Sequence, residues 1–203
     1  MITHLISFLI ASVILTLSPG PDIIYVLVKS MSKGKKAGIM LSLGLVSGVL
    51  VHTTLVAFGV AALINQSEFL FSLVQLLGAG YLLYLAYSIY RSENSLSLNE
   101  KTTTESSKNL LKRGFLMNVL NPKVSIFFLA FFPNFVWNTS AYVEIQLYVL
   151  GLVFMLQALL IFSLVAFSAG KIANYIQQNE RVLKIVKWVQ IAVFVLIAFA
   201  LFL

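Results

Sequence analysis

Apolar segments dominate this sequence, and they determine the environment in which the chain can fold. Six of them are long enough to cross a bilayer, which takes ~20 residues of α-helix. They lie at residues 4–28, 38–64, 69–90, 112–136, 142–169 and 182–203. Only 10% of the residues are charged, against ~25% in a soluble domain. The chain is therefore predicted to be an all-α integral membrane protein with six transmembrane helices.

The basic residues are distributed in a way that gives the chain an orientation. Thirteen of the 14 Lys and Arg residues lie in three segments, after the first, third and fifth spans. The two loops between these segments, at 65–68 and 137–144, contain no Lys or Arg. Under the positive-inside rule the three basic segments are cytoplasmic and both termini are outside. The membrane thus accounts for the net charge of +7, and no nucleic-acid partner is expected.

A polar linker divides the spans into two groups of three. Residues 92–111 connect a first half, 1–91, to a second half, 112–203. Because three is an odd number, the two halves must cross the membrane in opposite senses. Inverted repeats of this kind are a common transporter architecture. We therefore expect a single transmembrane transporter domain built from two inverted halves.

A Ser-Pro-Gly-Pro-Asp sequence at residues 18–22 interrupts the first span. Proline in a helix interior costs ~3 kcal/mol, because it removes a backbone donor and clashes with the preceding turn. A carboxylate at membrane depth costs at least ~2.5 kcal/mol and marks a candidate functional site. The first helix is therefore predicted to be broken here, with Asp22 at the break.

The fourth span has a second break of the same type, with a charge of the opposite sign. Lys123 is the fourteenth basic residue, and it follows Asn121 and Pro122 inside the span. Discontinuous membrane helices expose unpaired amides and carbonyls, which bind charged groups. Each half is therefore predicted to open with a broken helix that carries one ionisable residue.

These patterns identify candidate site residues. The candidate substrate-binding residues are Pro19, Gly20, Pro21, Asp22, Tyr81, Tyr84, Asn118, Asn121, Pro122 and Lys123. The candidate proton-coupling residues are Asp22 and His52, and Asp22 is preferred because a carboxylate buried in a low-dielectric environment can exchange a proton near neutral pH. His52 can equally be a neutral hydrogen-bond partner in the bundle. Asp22 and Lys123 can also simply pair and hold the helices together.

Sequence signals for enzymatic chemistry are missing. The chain has no Walker, GxSxG or HExxH motif, no Cys and only two His residues. We therefore predict that it is not an enzyme and that it uses no cofactor or bound metal. Two alternatives to amino-acid transport stay open: an ion or metal exporter of the same fold, and a membrane enzyme that acts on lipids.

Several motifs together resemble those of a known family, the lysine exporter superfamily, and in particular its homoserine/threonine exporter branch. The motifs recur in the same order along nearly the whole chain, at residues 18–22, 34–38, 78–85, 114–123 and 133–135. The resemblance implies a multi-pass secondary exporter of amino acids in the bacterial inner membrane, driven by the proton gradient. It does not name the amino acid.

The resemblance and the charges together suggest a mechanism. An amino-acid zwitterion is expected to bind between the two halves, with its ammonium at Asp22 and its carboxylate at Lys123. Alternating access then follows from rocking of one half against the other. The expected partners are the substrate, protons and the lipid bilayer, and a homodimer is left open because glycine-lined helices allow close packing.

Overall fold

The computed structural model describes residues 1–60, 68–91, 105–177 and 180–202, and all regular structure in these ranges is helical. The helices are α1 (Ile2–Leu17), α2 (Pro21–Lys33), α3 (Lys35–Leu55), α4 (Glu68–Arg91), α5 (Ser107–Val119), α6 (Pro122–Ile126), α7 (Val143–Gln177) and α8 (Glu180–Ala200). The π-helical segment Val56–Val60 continues α3, and the π-helical Phe127–Phe131 and 3₁₀-helical Phe132–Phe135 continue α6. Residues 92–104 of the predicted linker and 65–67 of a loop predicted to be outside lie beyond the described residues.

Four helices of the described chain are long and apolar enough to cross a membrane, or up to six spans if each of two bent pairs counts as one. The bent pairs are α1 with α2, at 56°, and α5 with the segment 122–135, at 49°. These pairs are the first and fourth predicted spans. The prediction of an all-helical membrane protein, with bends at both proline motifs, is therefore confirmed for the residues described.

The first break follows from the local backbone chemistry of its residues. Ser18 precedes a proline and adopts an extended ψ of 119°, which ends α1. Gly20 is also extended, with φ −147° and ψ 179°. Pro21 then occupies the first turn of α2, where its missing amide proton costs no helical hydrogen bond. The proline motif therefore ends one helix and begins the next within four residues.

The second break is also formed by a proline, and here the new helix has a side-chain N-cap in addition. Asn121 is extended, with φ −77° and ψ 109°, and Pro122 begins α6. The Asn121 side-chain carbonyl accepts a hydrogen bond of 3.0 Å from the backbone amide of Lys123. An asparagine at the N-cap satisfies one of the amides that a helix start leaves unpaired. Lys123 is thereby held in the first turn of α6.

The two halves of the chain meet at a glycine contact between α3 and α5. A Cβ added at Gly44 would collide with the backbone of Leu111, and one added at Gly114 would collide with the backbone of Leu41. Small residues of this kind let membrane helices approach backbone to backbone. Elsewhere α3 and α2 also pack along α7, whereas α4 packs mainly along α8.

Phenylalanine rings form a packed layer around the continuation of α6. Phe8 of α1 is fully buried, and its ring centroid lies 5.2 Å from that of Phe135 and 5.5 Å from that of Phe132. Phe128 lies 5.2 Å from Phe154 of α7. We call these rings, together with Phe127, the phenylalanine layer. It joins α1 and α7 to the segment in which helical hydrogen bonding changes from α to π to 3₁₀.

Candidate substrate site at the two helix breaks

The Asp22 carboxylate lies at the start of α2 and is 8% exposed. Its Oδ2 accepts a hydrogen bond of 2.7 Å from Nδ2 of Asn121, which belongs to the other break. The start of a helix also carries a partial positive charge that favours a carboxylate. Asp22 is thus stabilised at this depth by a helix end and by an amide of the opposite half.

The Lys123 ammonium lies at the start of α6 and is 6% exposed. Its Nζ donates a hydrogen bond of 2.8 Å to the backbone carbonyl of Ser18, which the end of α1 leaves without a helical partner. Gly20 lies beside it, and a Cβ there would be 3.3 Å from the ammonium. The glycine therefore leaves room for the lysine to reach the first break.

The two charges are neighbours, but neither is the hydrogen-bond partner of the other. Asp22 is bound by Asn121 and Lys123 by Ser18, so each charge contacts a neutral group of the opposite break. Among the ion pairs found between described residues, none joins Asp22 to Lys123. A carboxylate and an ammonium arranged in this way are near each other without neutralising each other directly.

A small cavity lies between these charges and the helices around them. Its volume is about 20 Å³, and its polar lining comes from Thr16, Asp22, Asn118 and Lys123. One water molecule needs roughly 10–15 Å³ by this measure, whereas a pocket for a drug-sized ligand takes at least ~300 Å³. The cavity therefore has room for about one water molecule.

Two acceptor oxygens in the cavity lining have no hydrogen-bond partner. They are Oδ1 of Asp22 and Oδ1 of Asn118, and both are buried. Buried acceptors in proteins normally have a donor, so each of these two oxygens can still accept a hydrogen bond. An ammonium supplies three donors and a compensating charge. Gly48 of α3 faces Asn118 closely, since a Cβ there would lie 2.7 Å from the same Oδ1.

The rest of the cavity lining is apolar. It consists of Leu15, Ile23, Leu45, Val46, Val49, Val124, Phe154, Ala158 and Phe162. Phe154, Ala158 and Phe162 are spaced four residues apart on α7 and therefore share one helix face, with the small alanine between two rings. This face suits an aliphatic side chain better than a charged one, because a second charge would have no partner there.

His52 lies beside the cavity, outside its lining. Its Nε2 is 3.1 Å from the backbone carbonyl of Asn118, near the end of α5. Its ring stacks on Phe128, with centroids 5.5 Å apart, and the side chain is 5% exposed. A neutral imidazole with its proton on Nε2 donates to that carbonyl. His52 therefore contacts the last turn of α5, next to the second break, without lining the cavity.

The remaining predicted site residues are less directly involved. Pro19, Pro21 and Pro122 shape the breaks and do not line the cavity. Tyr81 and Tyr84 of α4 lie against each other, 5.9 Å between ring centroids, and also do not line the cavity. Tyr84 is 60% exposed on the outside of the bundle.

The sequence interpretation did not single out Thr16, which lines the cavity one turn before the first break. Its Oγ1 donates to the Ser12 carbonyl at 2.8 Å and accepts from Nε2 of Gln157 at 2.9 Å. The available signal was the pair of hydroxyl residues, Ser12 and Thr16, one turn apart in an apolar helix. Within the described residues, no group of three or more His, Cys, Asp or Glu side chains is placed to hold a metal ion.

Broken spans with opposite buried charges around a closed cavity define the class of a multi-span membrane transporter. Residues 13–203 match the LysE type translocator family, and the chain belongs to that family. It is therefore a multi-pass inner-membrane transporter and not an enzyme, which confirms both predictions.

Curated relatives include leucine efflux proteins of Salmonella choleraesuis, Salmonella paratyphi A and Salmonella typhimurium. Each is 28% identical to this chain over 180 residues, which cover 88% of this chain and 85% of the relative. No solved structure matches the chain.

Proposed function

We propose that this protein exports a neutral aliphatic amino acid, of which leucine is the first candidate, across the bacterial inner membrane. The observation that carries the proposal is the presence of one buried carboxylate and one buried ammonium in the lining of a mostly apolar cavity. A zwitterion carries one charge of each sign and an aliphatic side chain carries none. The leucine efflux proteins among its relatives support the same substrate class.

In the proposed complex the substrate ammonium binds the unpaired Oδ1 atoms of Asp22 and Asn118. The substrate carboxylate replaces the Ser18 carbonyl as the acceptor for Lys123. A carboxylate is the stronger acceptor for an ammonium, because both partners are charged. The side chain of the substrate then lies against Ala158 and its neighbours on α7.

The cavity of about 20 Å³ corresponds to a closed state in this cycle. An amino acid can enter and leave only if the helices around the breaks separate on one side at a time. We propose that this separation occurs by alternating access of two inverted halves. In this arrangement both termini are outside and the α2–α3 connection is in the cytoplasm. The exporter is in this proposal a secondary transporter coupled to protons.

Asp22 is the proposed proton-coupling residue. Its carboxylate lines the cavity, whereas His52 lies behind Asn118 with its Nε2 engaged by a backbone carbonyl. A proton and the substrate ammonium would compete for the same carboxylate. Such competition is the basis of antiport, because the site releases one ligand as it takes the other.

The test is release of labelled leucine from liposomes that contain the purified protein, with and without an imposed pH gradient. We expect gradient-stimulated release by the wild-type protein, and a much weaker effect with lysine, whose side-chain charge has no partner in the cavity. Asp22→Asn should abolish the stimulation by the gradient. Glu144→Gln, at an exposed carboxylate on α7, is the matched control and should transport normally.

Two results would contradict the proposal. Release of leucine no faster than from protein-free liposomes, with protein that remains folded, would remove the substrate assignment. Undiminished gradient-driven release by Asp22→Asn would remove Asp22 from proton coupling and leave the substrate assignment in place.

A further inference from the structure

A cluster of charges joins α2 to the start of α5, outside the cavity. Glu105 immediately precedes Ser106, the N-cap of α5. Its Oε2 lies 2.7 Å from Nζ of Lys29 and 3.7 Å from Nζ of Lys33, and its Oε1 lies 2.6 Å from Nη1 of Arg113. One carboxylate of the linker thus contacts two lysines of the first half.

An aromatic ring supports two of these cations. The Tyr25 ring centroid lies 5.2 Å from Nζ of Lys29 and 4.8 Å from Cζ of Arg113. Cations within ~6 Å of a ring centroid are attracted by its negative face. Tyr25 therefore holds Lys29 and Arg113 in place around the position that the Glu105 carboxylate occupies.

Among the described residues, the cluster contains three cations and one carboxylate. Lys29 is only 1% exposed, while Arg113 is 45% exposed. A buried ammonium is costly without an anion nearby, so a second carboxylate is a favourable replacement for Glu105 when its side chain leaves and Lys29 stays buried. The geometry around that position, with an arginine on one oxygen and lysines on the other, is suited to a carboxylate.

The cluster is aligned with the substrate site along α2. Lys29 lies seven residues after Asp22, which places both on the same face of the helix, ~10.5 Å apart along its axis. Glu105 lies two residues before Ser107, the first residue of α5. Its backbone therefore stays close to the cluster when its side chain leaves. A ligand that displaced the Glu105 carboxylate would contact the same face of α2 on which Asp22 lies.

We propose that Lys29, Lys33 and Arg113 form a binding site for the carboxylate of an amino acid that arrives from the cytoplasm, and that Glu105 occupies this site when no substrate is present. The direction and the substrate class rest on the proposed function. A tethered carboxylate has an effective concentration of order millimolar, so a cytoplasmic amino acid at comparable concentration can compete with it.

The first test measures the site without transport. Detergent-solubilised protein is treated with an amine-acylating reagent, and the acylation rates of Lys29 and Lys36 are followed by mass spectrometry. Lys36 is exposed on α3 and serves as the internal control. Glu105→Gln should raise the rate at Lys29 about tenfold, the effect of losing a charge-assisted hydrogen bond, and leave Lys36 unchanged.

The second step adds a ligand to the Glu105→Gln protein. Leucine without its amino group, 4-methylpentanoate, should slow acylation of Lys29 again, whereas the neutral isostere 4-methylpentanamide should not. If Glu105→Gln does not fold, Glu105→Asp keeps the charge but shortens the side chain by one methylene, and the same protection by 4-methylpentanoate is expected because all three cations remain. Equal protection by the acid and the amide, or none by either, would overturn the proposal.

A transport measurement separates this site from the proposed function. In inside-out membrane vesicles, Glu105→Gln should lower the KM for leucine and Lys29→Gln should raise it, with Lys36→Gln as the matched control. Protection of Lys29 without any leucine transport would support the carboxylate site and contradict the proposed substrate. Leucine transport with KM unchanged in both variants would contradict the carboxylate site alone.

Discussion

The amide of Asn121 donates to the carboxylate of Asp22 over 2.7 Å, although 99 residues separate the two in the chain. Each residue lies at a proline-induced break. The second break donates this hydrogen bond to Asp22, and the first break supplies the Ser18 carbonyl that accepts from Lys123. The carboxylate is bonded through one oxygen only, and its Oδ1 is left without a donor. The hydrogen bond therefore fixes the orientation of Asp22 and leaves one oxygen for a ligand.

Removing this amide should impair transport. Asn121→Ala leaves the Asp22 carboxylate buried without its donor, at a cost of ~1.5–3 kcal/mol, and we expect leucine efflux to fall by about tenfold or more. Efflux from proteoliposomes measures the effect. Asn138→Ala, at an exposed asparagine of the loop before α7, is the control. Normal efflux by Asn121→Ala would show that the orientation of Asp22 is unimportant.

Gly20 provides a graded test of the Lys123 position. The backbone at Gly20 is extended and accepts any residue, so only the space beside the ammonium is affected. Gly20→Ala places a Cβ 3.3 Å from Nζ of Lys123 and should raise KM several-fold, while Gly20→Val should raise it further. Gly170→Ala, where an added Cβ meets nothing within 4 Å, is the matched control. An unchanged KM in both Gly20 variants would contradict a substrate contact by Lys123.

The glycine contact between α3 and α5 predicts a difference in stability between two alanine variants. Gly44→Ala forces a methyl group into the backbone of Leu111 and should destabilise the protein by ~1–3 kcal/mol. Gly80→Ala on α4 meets nothing within 4 Å and should be neutral or stabilising by up to ~1 kcal/mol. Thermal unfolding in detergent compares them. Equal unfolding temperatures for the two variants would mean that α3 and α5 can separate at little cost.

Acid should weaken the ion pairs that Glu105 makes with Lys29, Lys33 and Arg113. The hydrogen bond to Lys29, with the charges of Lys29 and Arg113 adding to it, holds the pKa of Glu105 below its ordinary value of 4.5. A carboxylate whose pKa is lowered by folding stabilises the folded state above its ordinary pKa, and this stabilisation is lost as the pH falls through the lowered value.

Unfolding temperatures of the wild type and Glu105→Gln test this dependence. Their difference should be constant from pH 8 to about 5, because the Glu105 carboxylate stays ionised over this range. Below the ordinary glutamate pKa of 4.5 the difference should shrink. A difference that is independent of pH down to strong acid would show that the charge of Glu105 contributes nothing.

The sequence was sufficient to predict the breaks, because their cause is local. Proline fixes its own backbone and that of the residue before it, so Pro21 and Pro122 each begin a helix wherever the rest of the protein lies. Asp22 and Lys123 were also identifiable, since a lone charge in an apolar span is conspicuous. These features required no knowledge of how the helices pack.

The partners of these charges were not predictable, because they depend on the rotation and depth of helices distant in sequence. A direct pair of Asp22 with Lys123 was one open interpretation, and the amide of Asn121 and the carbonyl of Ser18 take those positions instead. The same limit applies to Glu105, which lies at the end of a polar linker without a recognisable motif. A shift of one helical turn, ~5.4 Å, would replace every one of these contacts.

The meeting of Gly44 and Gly114 constrains how the protein can move. Backbones in direct contact can roll slightly about each other, but they cannot part without opening an empty space in the core. We therefore expect this contact to be the pivot of the proposed rocking of the two halves. The helices α4 and α8 pack mainly on each other, so we expect the glycine contact to restrict them less than it restricts α3 and α5.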